Sequence, residues 1–249
     1  MKDPLIIGAL GGSGTRVVAR IVRQMGYFIG EYLNVSEDAM EFVPFYDHWI
    51  NPFSAYRLQG AHLDLDRMGL DFAECVVRHR APLRDRNRHW GWKEPRSIYL
   101  LPFFHRIFPE MKFIQVLRDG RDMAFSDNQN QLRLHGAAML DENDAARPQP
   151  VQTARLWQQV NLQAAEYGES RLKEHYLALR FEDLCYNPAS TIDKLQHFLA
   201  PSRMSDLDTI RNEIVPPPTI GRWRACEDAT LLKEIQTAAR HGLARFNYL

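Results

Sequence analysis

The chain has 249 residues, enough to bury a substantial core in one α/β domain, and its 45% hydrophobic and 25% charged residues suit a soluble globular protein. Lys+Arg and Asp+Glu both number 31, which excludes a global field drawing in nucleic acid or an anionic membrane, so any anion site must be local. Three widely spaced cysteines, Cys75, Cys185 and Cys226, give neither a disulfide framework nor a zinc pattern, and a reducing compartment is expected.

Met1-Lys2-Asp3-Pro4 runs within a few residues into the first apolar run, and no signal peptide is expected. No run approaches the roughly 20 apolar residues of a spanning helix. The expected location is cytoplasmic, with neither membrane nor nucleic acid as partner. Leu5-Ile6-Ile7-Gly8-Ala9 then reads as a short buried strand, and Leu10-Gly11-Gly12-Ser13-Gly14 as a glycine-rich turn into a helix opening near Thr15 and Arg16. Glycines let successive N–H groups converge over the helix N-terminus, where partial positive charge favours a phosphate. A Walker loop would carry lysine before its Ser/Thr, and this loop does not.

Tyr32–Asn51 mixes acidic and aromatic residues and is expected to cross the top of the sheet. Leu63–Arg80 carries Leu65, Met68, Phe72, Val76 and Val77 at near-helical spacing. Trp90-Gly91-Trp92-Lys93 suits a short strand with Lys93 at its C-terminal end, and Ile98–Phe108 a helix stopped at Pro109. Lys112–Leu117 is the clearest strand, and Arg118-Asp119-Gly120-Arg121-Asp122 turns from it into another helix. Residues 136–152 show no periodicity and are expected to form a surface loop or lid. A long helix over Thr153–Glu174, a strand over Tyr176–Phe181 and a helix over Ser190–Leu199 follow. Pro216-Pro217-Pro218 breaks the chain before Gly221-Arg222-Trp223-Arg224, and a last helix spans Ala229–Ala244.

Strands alternating with helices predict a P-loop-like three-layer α/β fold in a single domain over 1–249, its mainly parallel sheet flanked by helices. Ligands in such sheets sit beyond the C-terminal strand ends, where the glycine loop, Lys93 and Arg118 converge. Arg118, at a strand end, and Ser126, in the helix that follows, can close on one anion with a bidentate fork and a hydroxyl.

These elements resemble the sulfotransferases that use 3′-phosphoadenosine 5′-phosphosulfate (PAPS). Gly11-Gly12-Ser13-Gly14-Thr15-Arg16 matches the family's 5′-phosphosulfate loop, and Arg118 with Ser126 matches its R-x7-S signature for the 3′-phosphate. Arg180-Phe181-Glu182-Asp183-Leu184 resembles its [RY]-[FY]-E-D-L element, and Gly221-Arg222-Trp223-Arg224 the G-x-W-[KR] loop that folds over the nucleotide. The resemblance implies in-line transfer of a sulfuryl group to a hydroxyl or amine, leaving 3′,5′-ADP without a metal. Stabilisation of developing charge and a base are then the requirements.

The family's loop lysine is replaced by Gly12. The resemblance assigns the catalytic charge to Lys93, in Trp92-Lys93-Glu94-Pro95, with Arg16 as a second cation. Glu41 stands where glutamate-using members place their base, with Asp47 and His48 as alternatives, while Glu94 is expected to order Lys93. Trp223 is expected on adenine, Arg222 at the 3′-phosphate, and Arg121 either as a second phosphate contact or in an ion pair. Aromatic residues between Tyr27 and Tyr56 would wall the pocket of a small-molecule, carbohydrate or peptide acceptor. Two other readings stay open: a nucleotide-dependent kinase, and an inactive 3′,5′-ADP-binding protein.

Overall fold

The computed structural model describes residues 2–200, 211–212 and 214–249. Four strands, β1 (Leu5–Ala9), β2 (Gly91–Lys93), β3 (Lys112–Leu117) and β4 (Tyr176–Arg180), form one all-parallel sheet in the order β2-β1-β3-β4. Ile7 pairs with Lys93, Ala9 with Val116, and Leu117 with Arg180, so the C-terminal ends of all four strands lie along one edge.

Successive side chains of a strand point to opposite faces, and both faces of this sheet are covered. Leu5, Ile7 and Ala9 of β1, with Ile114 and Val116 of β3, pack on one side against α1 (Thr15–Gln24) and the later helices Phe181–Tyr186 and Pro188–Leu199. Ile6, Phe113 and Leu117 face the other side, beneath α2 (Val43–Gln59), α3 (Leu65–Arg80), α4 (Leu101–Ile107) and the long helix Gln149–Tyr167. This gives the expected three layers. The second layer is dense in rings: Phe42 stacks on Trp92 at 4.7 Å, and Phe72 packs against Phe104 at 5.1 Å.

The structure revises several sequence expectations. The second part of Tyr32–Asn51 is helical: Val43 begins a seventeen-residue helix with Pro44 in its first turn. Phe45, Tyr46, Trp49, Ile50 and Phe53 bury much of its circumference and Pro52 lies inside it, so no amphipathic stripe marks it. These rings are part of the buried core. Val77, one of the apolar residues at helical spacing in α3, is 70% exposed.

Residues 136–152 are not a loop. They complete a helix over Asn130–Met139, form a short turn of helix over Glu142–Ala145, and open the helix that begins at Gln149. Asp141 caps the middle turn by accepting from the Asp144 N–H at 2.8 Å, and Arg155 holds Asp144 at 2.7 Å. Elements this short show no period. The helix expected to Glu174 is regular only to Tyr167, Ile98–Phe108 is a 3-10 turn (Pro95–Leu100) running into α4, and the last helix divides at Ala239.

Candidate active site

The turn after β1 uses left-handed backbone twice, at Gly12 (φ 92°) and Gly14 (φ 84°). Gly14 is the N-cap of α1, whose first turn has neither a capping side chain nor an acidic residue. The first N–H groups of this ten-residue helix thus keep their partial positive charge for an anion. Phe181, from the helix after β4, closes over the turn, and a Cβ on Gly14 would stand 2.1 Å from its ring.

Arg118 leaves the end of β3 and reaches the same turn. It donates through one terminal nitrogen to the Gly12 carbonyl at 3.2 Å, and through the other to Thr219, to the carbonyl at 2.6 Å and the hydroxyl at 2.8 Å. Its Nε is buried without a hydrogen-bond partner among the described residues. Burial lowers its pKa, opposed by the charge of Asp122. Ser126 Oγ lies 3.6 Å from where a Cβ on Gly12 would be. The expected trio of loop, arginine and serine therefore meets at Gly12.

Gly221-Arg222-Trp223 folds over this group, held by a residue that sequence reading missed. Asp122 accepts from the Gly221 N–H at 2.7 Å and from the Trp223 N–H at 3.2 Å. Arg222 donates to the carbonyls of Thr219 and Phe125. Trp223 is half-buried, with the Arg121 guanidinium 4.0 Å from its ring centre and that of Arg224 at 4.8 Å. Arg121 is buried in an ion pair, bound to Asp119 at 2.7 Å and to the Tyr248 carbonyl. The E-D-L element has a structural task, since Glu182 accepts the Asp119 N–H at 2.9 Å and fixes the turn after β3.

Lys93 ends β2 with its side chain 1% exposed, Nζ lying 2.5 Å from the Asp38 carboxylate and 2.5 Å from the Ser36 carbonyl. Burial lowers its pKa and Asp38 opposes that shift. Arg16, exposed on α1, donates to the Val35 carbonyl at 3.3 Å. Glu94 does not hydrogen-bond Lys93: its carboxylate binds Arg96, which also holds Asp47 at 2.5 Å. The side chain of Glu41 faces His79 at 3.4 Å, and His79 bonds the Gly91 carbonyl on its other side. Burial raises the Glu41 pKa, but the hydrogen bond and charge of His79 outweigh it and hold the carboxyl below the usual range. His48 is exposed, its ring edge-on to Trp49. Asp38 is the carboxylate in direct contact with Lys93, and no local pattern marked it.

Residues 4–202 match the model of the sulfotransferase family. The chain belongs to that family. It is a sulfotransferase, an enzyme whose acceptor is unknown. Its fold resembles the sulfotransferase domain of the olefin synthase of Synechococcus PCC 7002, at a TM-score of 0.54 and 15% identity over 97% of this chain and 95% of that one. The sulfotransferase domain of the curacin biosynthetic pathway gives 0.54 at 14% identity over 97% of both chains. The sulfotransferase STF1 of Mycobacterium tuberculosis H37Rv gives 0.50 at 13% identity, over 96% of this chain and 76% of that one. At such identities the likeness is one of fold. Among curated proteins none matches the chain in sequence. No group of three or more metal-ligating side chains occurs among the described residues, and no helix there is long and apolar enough to cross a membrane.

Proposed function

We propose that this sulfotransferase takes its sulfuryl group from PAPS and delivers it to a hydroxyl or amine. The observation that carries this reading is the meeting at Gly12 of Arg118, Ser126 and the open N-terminus of α1. The site fits a doubly phosphorylated nucleotide: the glycine turn leaves a cradle, and Arg118 keeps a buried Nε without a partner beside it. Gly11 to Arg16 would hold the 5′-phosphosulfate, Arg118 and Ser126 the 3′-phosphate, with Trp223 on adenine and Arg222 beside it. PAPS supplies the activated sulfuryl group and its own leaving group.

The chain supplies charge and position. The α1 N–H groups and Arg16 stabilise the equatorial oxygens, and Lys93 is the principal cation for the leaving oxygen. Lys93→Ala should lower turnover by about a hundredfold or more while leaving 3′,5′-ADP binding intact. The absence of a loop lysine disfavours ATP, whose phosphoryl transfer normally uses one. We also place the protein in the cytoplasm, a reading supported by three cysteines that are all unpaired.

A thermal-shift comparison of 3′,5′-ADP, ATP with magnesium, and 5′-AMP tests the reading. A ligand at a hundred times its Kd stabilises by about 2.7 kcal/mol, or roughly 5–10 °C in a domain of this size. Selective stabilisation by 3′,5′-ADP is expected. No shift at saturation, or a larger one with ATP and magnesium, would overturn it.

A further inference from the structure

Resting on that reading, we propose that Asp38 is the internal counter-ion of Lys93, displaced by the donor's sulfonate, and that the carboxylate so released is the base for the acceptor. Residues 34–38 form a strap built from both sides. Asn34 Oδ1 accepts the N–H groups of Ser36 and Asp38, and Asn34 Nδ2 donates to Asp38 Oδ2 at 2.9 Å. Glu37 adopts a left-handed φ of 63° and is gripped from α1 by Arg20 at 2.6 Å and Arg23 at 3.3 Å. The strap thereby engages both cations the chemistry needs: Arg16 through the Val35 carbonyl, and Lys93 through Ser36 and Asp38.

An ammonium buried to 1% exposure must keep a counter-charge, and here Asp38 provides it. A sulfonate at Lys93 supplies the same charge, so Lys93 can turn from one anion to the other with its charge always compensated. The exchange uncovers Asp38 Oδ1 beside the reacting centre. Glu41 and Asp47 undergo no such release, because His79 and Arg96 hold them.

The acceptor O–H or N–H proton passes to Asp38 Oδ1, and the acceptor atom bonds to sulfur. The bond from sulfur to the bridging oxygen breaks, its electron pair leaves with 3′,5′-ADP, and Lys93 donates to that oxygen. Base and cation are thus armed by one event, and the donor binds before the acceptor.

PAPS and 3′,5′-ADP differ by the sulfonate, which makes them the diagnostic pair of ligands. In calorimetric titrations Asp38→Asn should bind PAPS at least tenfold tighter than the parent, with 3′,5′-ADP unchanged within twofold. Adding Lys93→Met should abolish that gain. Conversion of PAPS to 3′,5′-ADP and sulfate, with water as acceptor, should fall at least a hundredfold in Asp38→Asn despite the tighter binding. In the parent protein, amide exchange over residues 34–38 should be faster in the PAPS complex than in the 3′,5′-ADP complex, a readout that needs no variant. Parallel affinity changes for the two ligands, undiminished turnover in Asp38→Asn, or identical exchange in the two complexes would each overturn the proposal. A parent protein that binds neither nucleotide would instead defeat the underlying reading.

Discussion

Phe181 lies so close over Gly14 that any side chain on Gly14 would enter its ring, and Gly14 in turn has a backbone that L-residues rarely adopt. Left-handed backbone costs a non-glycine residue roughly 1–2 kcal/mol, and overpacking adds about 1–3. Gly14→Ala should therefore lower stability by about 2–5 kcal/mol in urea unfolding and abolish 3′,5′-ADP binding. Pairing it with Phe181→Leu should recover part of the stability, since only the clash is relieved.

Asp122 uses both carboxylate oxygens to hold the Gly221–Trp223 loop by its backbone. Asp122→Asn keeps the shape, presents one N–H of the loop with another donor, and removes a charge-assisted bond. We expect 3′,5′-ADP to bind about 10 to 100 times more weakly, corresponding to about 1.4–2.7 kcal/mol. Isothermal titration checks this, with a circular-dichroism melt to show that the rest of the fold is intact.

Arg118 presents two terminal nitrogens to one region, a fork that lysine cannot reproduce. Arg118→Lys should weaken 3′,5′-ADP by more than tenfold and leave 5′-AMP, which lacks the 3′-phosphate, nearly unaffected. Equal losses for the two nucleotides would remove Arg118 from the 3′-phosphate.

His135 is 2% exposed and its Nδ1 bonds Asn51 Oδ1 at 2.8 Å. Burial, with the nearby charge of Arg96, lowers its pKa from 6.5 to about 4. Between those values the unfolded chain binds a proton that the folded one refuses, so its contribution is full above pH 6.5 and is lost as pH falls towards 4. The loss amounts to at most about 3 kcal/mol. His135→Gln should flatten this part of the stability profile, measured as urea midpoints at pH 7 and pH 5.

The first strand, its turn and the Arg118 segment were legible because consecutive residues carry them: a continuous apolar run, glycines, then a charge at a strand end. Lys93 was legible for the same reason. Asp38 was not, since its contact with Lys93 spans 55 positions, and the resemblance pointed instead to Glu41 in the same segment. Asp122 was hidden differently, because its partners are backbone N–H groups 99 and 101 positions away, which carry no side-chain signature. The α2 helix escaped because its rings face several directions rather than one.

The strand that carries Lys93 has only three residues and forms one border of the sheet, so β1 pairs with it on one side only. On its other side the Lys93 carbonyl is met by the Ala39 N–H, immediately after the strap. A short border strand opens more readily than the centre of a sheet. On warming, the enzyme should therefore lose the position of Lys93 before it loses its fold, and, if Lys93 serves as proposed, its activity should fade several degrees below the temperature at which the molecule melts.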